Sequence, residues 1–164
     1  MSNVTKMEFL EGVGLKYKNF RGEERKQGGR IMNQAGKRNF NIILNEEQYE
    51  DLKAKGWQVR ENETSNGDTE YLIKVNVSYG GRPPMIKLVP TDNSKPISIT
   101  EASVGSLDML DIVNAEVVIR PYNWDDTGRY GAAAYLRSMK LDIYVDPLEA
   151  KMGFYDNDEP MPFE

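Results

Sequence analysis

The segment from Arg120 to Tyr130 alternates rings with cations: Arg120, Tyr122, Trp124, Arg129 and Tyr130 surround a turn made of Asp125, Asp126, Thr127 and Gly128. Unpaired nucleobases present π-faces, and stacking on an aromatic side chain contributes about 1 to 3 kcal/mol per base with little sequence preference. Guanidinium groups beside such rings neutralise phosphates or stack by their planes. The competing reading is that some of these rings fill a core, the more frequent fate of a Tyr or Trp in a strand. Trp57 is assigned to the core on that ground, whereas Trp124, next to two aspartates in a polar turn, is expected at the surface. A second cluster, Tyr79-Gly80-Gly81-Arg82-Pro83-Pro84, offers a ring and a charge where glycines permit close backbone approach, or else a plain Gly-Gly turn stiffened by two prolines. Lys74, on the outward face of the strand leading into that loop, extends the basic track.

Charge is partitioned along the chain. The 164 residues carry a net charge of -5, and the segment from Asp146 onward carries the same -5, from Asp146, Glu149, Asp156, Asp158, Glu159 and Glu164 against Lys151. Residues 1–145 are therefore neutral, and the acidic overall balance does not argue against a nucleic-acid partner. Within them, residues 16–38 hold eight bases, Lys37 and Arg38 among them, against Glu23 and Glu24. This density, broken by Gly22, Gly28, Gly29 and Gly36, predicts a mobile basic arm or long loop rather than a buried element, the alternative being a solvated loop without a ligand.

Cysteine and histidine are both absent. That removes disulfides, thiolate zinc sites, the commonest general base and the commonest metal ligand. Asp125 and Asp126 adjoin a glycine turn and are better read as shaping it, and the acids from Asp156 to Glu159 lack a scaffold to fix coordination geometry. Gly12-Val13-Gly14 does not have the spacing of a phosphate loop. The expectation is a protein that is not an enzyme and needs no cofactor or metal. Neither a signal-like start nor an apolar run long enough to cross a bilayer is present, which reads as an intracellular protein without a membrane partner.

The elements that must position these residues are mostly strands. Residues 71–79 alternate, with Tyr71, Ile73, Val75, Val77 and Tyr79 on one face and Lys74, Asn76 and Ser78 on the other. Further strands are expected at 37–44, 57–60, 85–89, 115–122 and 132–145, the last with a bulge or break near Ser138. Asn45 as N-cap, Glu46 and Glu47 in the first turn and Gly56 as the C′ residue predict a helix over 46–55, and a weaker pattern predicts one over 101–110. Five or so strands with short inserted helices and no βαβ alternation imply a small Greek-key barrel. It is expected to span residues 1–147, with 148–164 as a flexible, disordered acidic tail.

Three motifs carry a resemblance to a known family. Residues 37–44 (KRNFNIIL), a short helix and then Gly56-Trp57-Gln58-Val59, followed later by 120–124 (RPYNW), the turn 125–129 and 130–136 (YGAAAYL), resemble bacteriophage-encoded single-stranded DNA-binding (SSB) proteins. The final segment, with Asp156, Asp158, Glu159, Pro162 and Phe163, resembles the acidic Pro-Phe tail by which SSB proteins recruit partners, although Glu164 follows the ring here. The resemblance implies a mainly β, five-stranded OB-fold barrel with one or two short helices. It also implies non-specific coating of single-stranded DNA in phage replication, recombination and repair, in the cytoplasm of the infected host. The tail would then contact phage or host replication and recombination proteins, and the chain would act as a monomer or dimer. The alternative from another class is a phage structural or assembly module that uses the tail as a docking peptide.

Overall fold

The computed structural model describes residues 4–145, in the order β1 (Glu8–Asn19), β2 (Arg25–Gln27), β3 (Arg30–Asn33), β4 (Arg38–Leu44), α1 (Glu46–Lys55), β5 (Val59–Glu63), β6 (Thr69–Val77), β7 (Met85–Pro90), β8 (Ile97–Ile99), a 3₁₀ helix (Val104–Met109), β9 (Ile112–Asp126) and β10 (Arg129–Ile143). Five of these strands close on themselves in the order β1-β4-β6-β10-β9 and back to β1, with every contact antiparallel except the parallel β6–β10 pair. This is the expected OB-fold barrel. Period-two alternation aims Phe40, Ile42, Ile73, Val75, Val117, Ile119 and Leu136 into one core, and Phe20 stacks on Phe40 with ring centroids 5.1 Å apart.

Local chemistry explains the strand exchanges. β10 pairs with β6 at Ala134 and Tyr135, then shifts register between Leu136 and Ser138 and pairs with β7 from Ser138 onward. The bulge expected near Ser138 thus hands one strand edge from the barrel to the β7–β8 extension. The helix forms where expected. Asn45 and Gln48 make a reciprocal capping box, and Gly56 at φ 102° donates to the carbonyls of Leu52 and Lys53. Tyr49 and Leu52 bury the inner face of α1, with the Tyr49 ring 4.6 Å from that of Tyr71. Among the described residues, no helix is long and apolar enough to cross a membrane.

The basic segment differs from a mobile arm. Lys16 to Asn19 belong to β1, Phe20 is fully buried, and residues 25–33 form the β2–β3 hairpin. Two facts order it. Gly28 and Gly29 both take positive φ, as a tight hairpin turn requires. At its base the Asn19 side chain bonds both N and O of Glu23, and Asn33 Nδ2 donates to the carbonyls of Glu23 and Lys37. The expected domain end at 147 and the tail from 148 lie outside the described residues.

Candidate nucleic-acid interface

The outward faces of four barrel strands place a polar and aromatic row in register. Asn39 on β4 lies opposite Asn76 on β6, Asn76 opposite Tyr135 on β10, and Tyr135 opposite Arg120 on β9. Phe40, Val75, Val77, Ala134, Leu136 and Ile119 beside them face the core, so alternation puts the row on the opposite face, where Asn39 is itself buried and donates to Asn33 Oδ1. Asn76 Nδ2 donates to the Ala134 carbonyl at 3.2 Å, tying β6 to β10 where their pairing is shortest. The Arg120 guanidinium sits 5.0 Å from the Tyr135 ring centroid, and Tyr122 tilts against the same ring at 5.9 Å. Lys74, opposite Asn41, stands exposed in the middle of this surface.

Around Lys74 the surface deepens into one groove with three connected parts. Towards β1 it is lined by Tyr17, Asn41, Arg60 and the hairpin residues Arg25, Lys26 and Met32. Towards the β6–β7 loop it is lined by Lys37, Asn39, Asn76, Ser78, Tyr79 and Tyr135. A third part, which shares Arg60, Lys74 and Asn76 with the others, is lined by Gln58, Val59 and Ala133. Arg60 is held by a 3.2 Å bond to Asn41 Oδ1, and Lys16 pairs with Glu70, a hydrogen bond that raises the Lys16 pKa. Rings, cations and amides with an open floor suit an extended strand with exposed bases and a phosphate backbone, the arrangement by which a single strand is held without base-specific pockets.

Of the residues expected from sequence, Lys37, Lys74 and Tyr79 come together in this groove, and Arg120 and Tyr122 adjoin it through Tyr135. Arg38 lines the groove beside Lys37, with its guanidinium engaged on its other side. Its Nε donates to the Phe20 carbonyl at 3.0 Å, Glu101 lies 3.6 Å from its guanidinium, and it covers the Tyr79 ring at 5.6 Å. Burial pushes the Tyr79 hydroxyl above the usual tyrosine value, with Arg38 pulling the other way. Arg82 is exposed in its loop and does not line the groove. Trp124, Arg129 and Tyr130 lie together at the β9–β10 hairpin, beyond the row. Trp124 is half-buried there, its ring against Gly131 and its Nε1 donating to Gln58 Oε1 at 3.2 Å, while Tyr130 and Arg129 are exposed. Trp57 is buried, as assigned. The tail residues Asp156, Asp158, Glu159, Pro162 and Phe163 lie outside the described residues.

Sequence reading missed Tyr17, Asn41, Arg60, Asn76 and Tyr135 as groove residues. Tyr135 carried a usable signal, since Ala132, Ala134 and Leu136 alternate with it and are all buried. Tyr17 carried none, because β1 is bulged. A second depression, lined by Phe9, Met85, Ile86, Val118 and Met139 with Lys87, Lys140 and Glu116 at its rim, shares no residue with the groove. It is mainly apolar and holds a single ring, Phe9, against the several rings of the groove. Among the described residues, no three acidic side chains are grouped to hold a metal ion.

A family model described as "Putative phage ssDNA-binding domain" matches residues 1–159. Among solved structures, the single-stranded DNA-binding protein from bacteriophage Enc34 in complex with ssDNA is similar at a TM-score of 0.51 and 10% identity, covering 86% of this chain and 88% of that one. A C-terminal truncation of the Enc34 protein is similar at a TM-score of 0.50 and 11% identity, covering 86% and 87%. At such identities the likeness is one of fold. No curated protein matches by sequence.

Proposed function

Because this chain belongs to the phage ssDNA-binding domain family, we propose that it binds single-stranded DNA along the groove centred on Lys74, without sequence preference, and protects the strand during phage DNA replication, recombination and repair in the infected cell. The observation that carries this reading is the in-register row Asn39, Asn76, Tyr135 and Arg120 beside Lys74, which sets ring and cation side by side across four strands. Phosphates meet Lys74, Arg60, Lys37 and the hairpin bases, and unpaired bases meet Tyr135, Tyr122 and Tyr17. The test is anisotropy of a fluorescein-labelled dT30 oligonucleotide at low and moderate salt, with duplex of equal length as competitor. Tight, salt-sensitive, strand-selective binding supports the reading. No binding at micromolar protein contradicts it and favours an assembly module.

The acidic segment is assigned the recruitment of replication and recombination proteins, on the strength of its charge and its Pro162-Phe163 hook. Removing Phe163 should leave dT30 binding intact and abolish capture of a polymerase or helicase. Unchanged capture would remove the assignment.

A further inference from the structure

β1 contains two bulges, and the residues that occupy them differ in kind. The first shifts the β1–β9 register between Leu10 and Val13 and holds Gly12 at φ 66°, as expected where the backbone turns left-handed. The second shifts the β1–β4 register between Lys16 and Asn19 and holds Tyr17 at φ 53°. A bulky aromatic residue in that region is a conformational outlier, and such strain persists where the surroundings over-determine it, commonly at binding sites. Packing does not account for the ring, which is 48% exposed. Instead the bulge turns it into the groove, with Asn41, Arg60, Lys74 and Met32 as neighbours in the lining. Two cations attend it: Lys16 Nζ lies 5.1 Å and the Arg60 guanidinium 6.0 Å from the ring centroid. Each is fixed by its own partner, Glu70 for Lys16 and Asn41 for Arg60.

We propose that Tyr17 is a base-stacking platform of the groove, that the bulge keeps a left-handed backbone there to aim the ring, and that Arg60 and Lys74, which line the groove with it, hold the phosphates next to the stacked base. The proposal rests on the single-strand reading of the groove. It explains why a position whose backbone favours glycine carries a tyrosine, and it predicts that binding and stability respond to substitution in different orders.

The experiment compares Tyr17→Phe, Tyr17→Ala and Tyr17→Gly with the wild-type chain in dT30 anisotropy and in thermal unfolding. Tyr17→Phe keeps the ring and should hold its affinity within about twofold, while Tyr17→Ala and Tyr17→Gly should each weaken binding about 5- to 150-fold, the equivalent of one lost stack. Tyr17→Gly should also melt at a higher temperature than Tyr17→Ala, the reverse of the order at an ordinary strand position. Wild-type affinity in the Ala and Gly variants would overturn the role of Tyr17 and leave the groove reading standing. Failure of the wild-type chain itself to bind dT30 would overturn both.

Discussion

Arg120 and Tyr135 face each other across the β9–β10 pair, and the guanidinium lies 5.0 Å from the ring centroid. The pair presents one ring and one charge at the same height on the barrel wall, so a nucleotide that stacks on Tyr135 brings its phosphate within reach of Arg120. Tyr135→Ala should therefore weaken dT30 binding by about 1 to 3 kcal/mol. Arg120→Ala should act mainly through salt dependence, lowering the slope of log affinity against log salt by about 0.7. Titrations at three salt concentrations separate the two effects.

Gly131 supports Trp124 by having no side chain. A Cβ at that position would lie 3.2 Å from Trp124 Cζ2, closer than an unshifted ring permits. Gly131→Ala should push the indole aside by a few tenths of an ångström, lengthen its bond to Gln58 and make it more accessible to acrylamide, with buried Trp57 as the unresponsive reference. Identical quenching curves for variant and wild type would show that the ring does not rest on Gly131.

The capping box of α1 separates stability from binding. Asn45→Ala removes the acceptor for the Gln48 N–H and should cost about 1 kcal/mol. For a chain of this size that corresponds to roughly 2 to 4 °C in Tm. No residue of α1 lines the groove, so dT30 affinity should not change.

Tyr79 gives a pH signature. Its hydroxyl is buried without a hydrogen-bond partner, and burial raises its pKa. The folded chain keeps this proton where the unfolded chain, with an ordinary value near about 10, has lost it. Unfolding then releases a proton, so this residue's contribution to stability falls as pH rises above about 10. Tyr79→Phe should lose less stability between pH 9 and 11 than wild type in denaturant titrations, and should be neutral or stabilising at pH 7 because it removes an unpaired buried hydroxyl.

The parts of this molecule that follow simple periodicity were legible in its sequence. Residues 71–79, the 46–55 helix with its Asn45 and Gly56 ends, and the break near Ser138 are local patterns with local causes. β1 was not legible. Its core residues Leu10 and Val13 are three apart because Gly12 lies in a bulge, and the second bulge at Tyr17 throws the alternation out again. For the same reason the basic segment was read as one loop, when its first residues finish β1 and its middle is a hairpin pinned by Asn19 and Asn33. The engagement of Arg38 with Phe20 and Glu101 has no local signal in the sequence, because it depends on contacts that only the closed barrel brings together.

The central claim is that the strand lies in the groove around Lys74 rather than elsewhere on the barrel. It is tested most directly by reversing one charge there and one in the apolar depression, Lys74→Glu and Lys140→Glu, and measuring dT30 affinity against salt for both. Lys74→Glu should weaken binding and lower the salt slope by about 0.7 to 1.4, one to two phosphate contacts, while Lys140→Glu should match wild type. Equal losses in the two variants, or a loss confined to Lys140→Glu, would contradict the account.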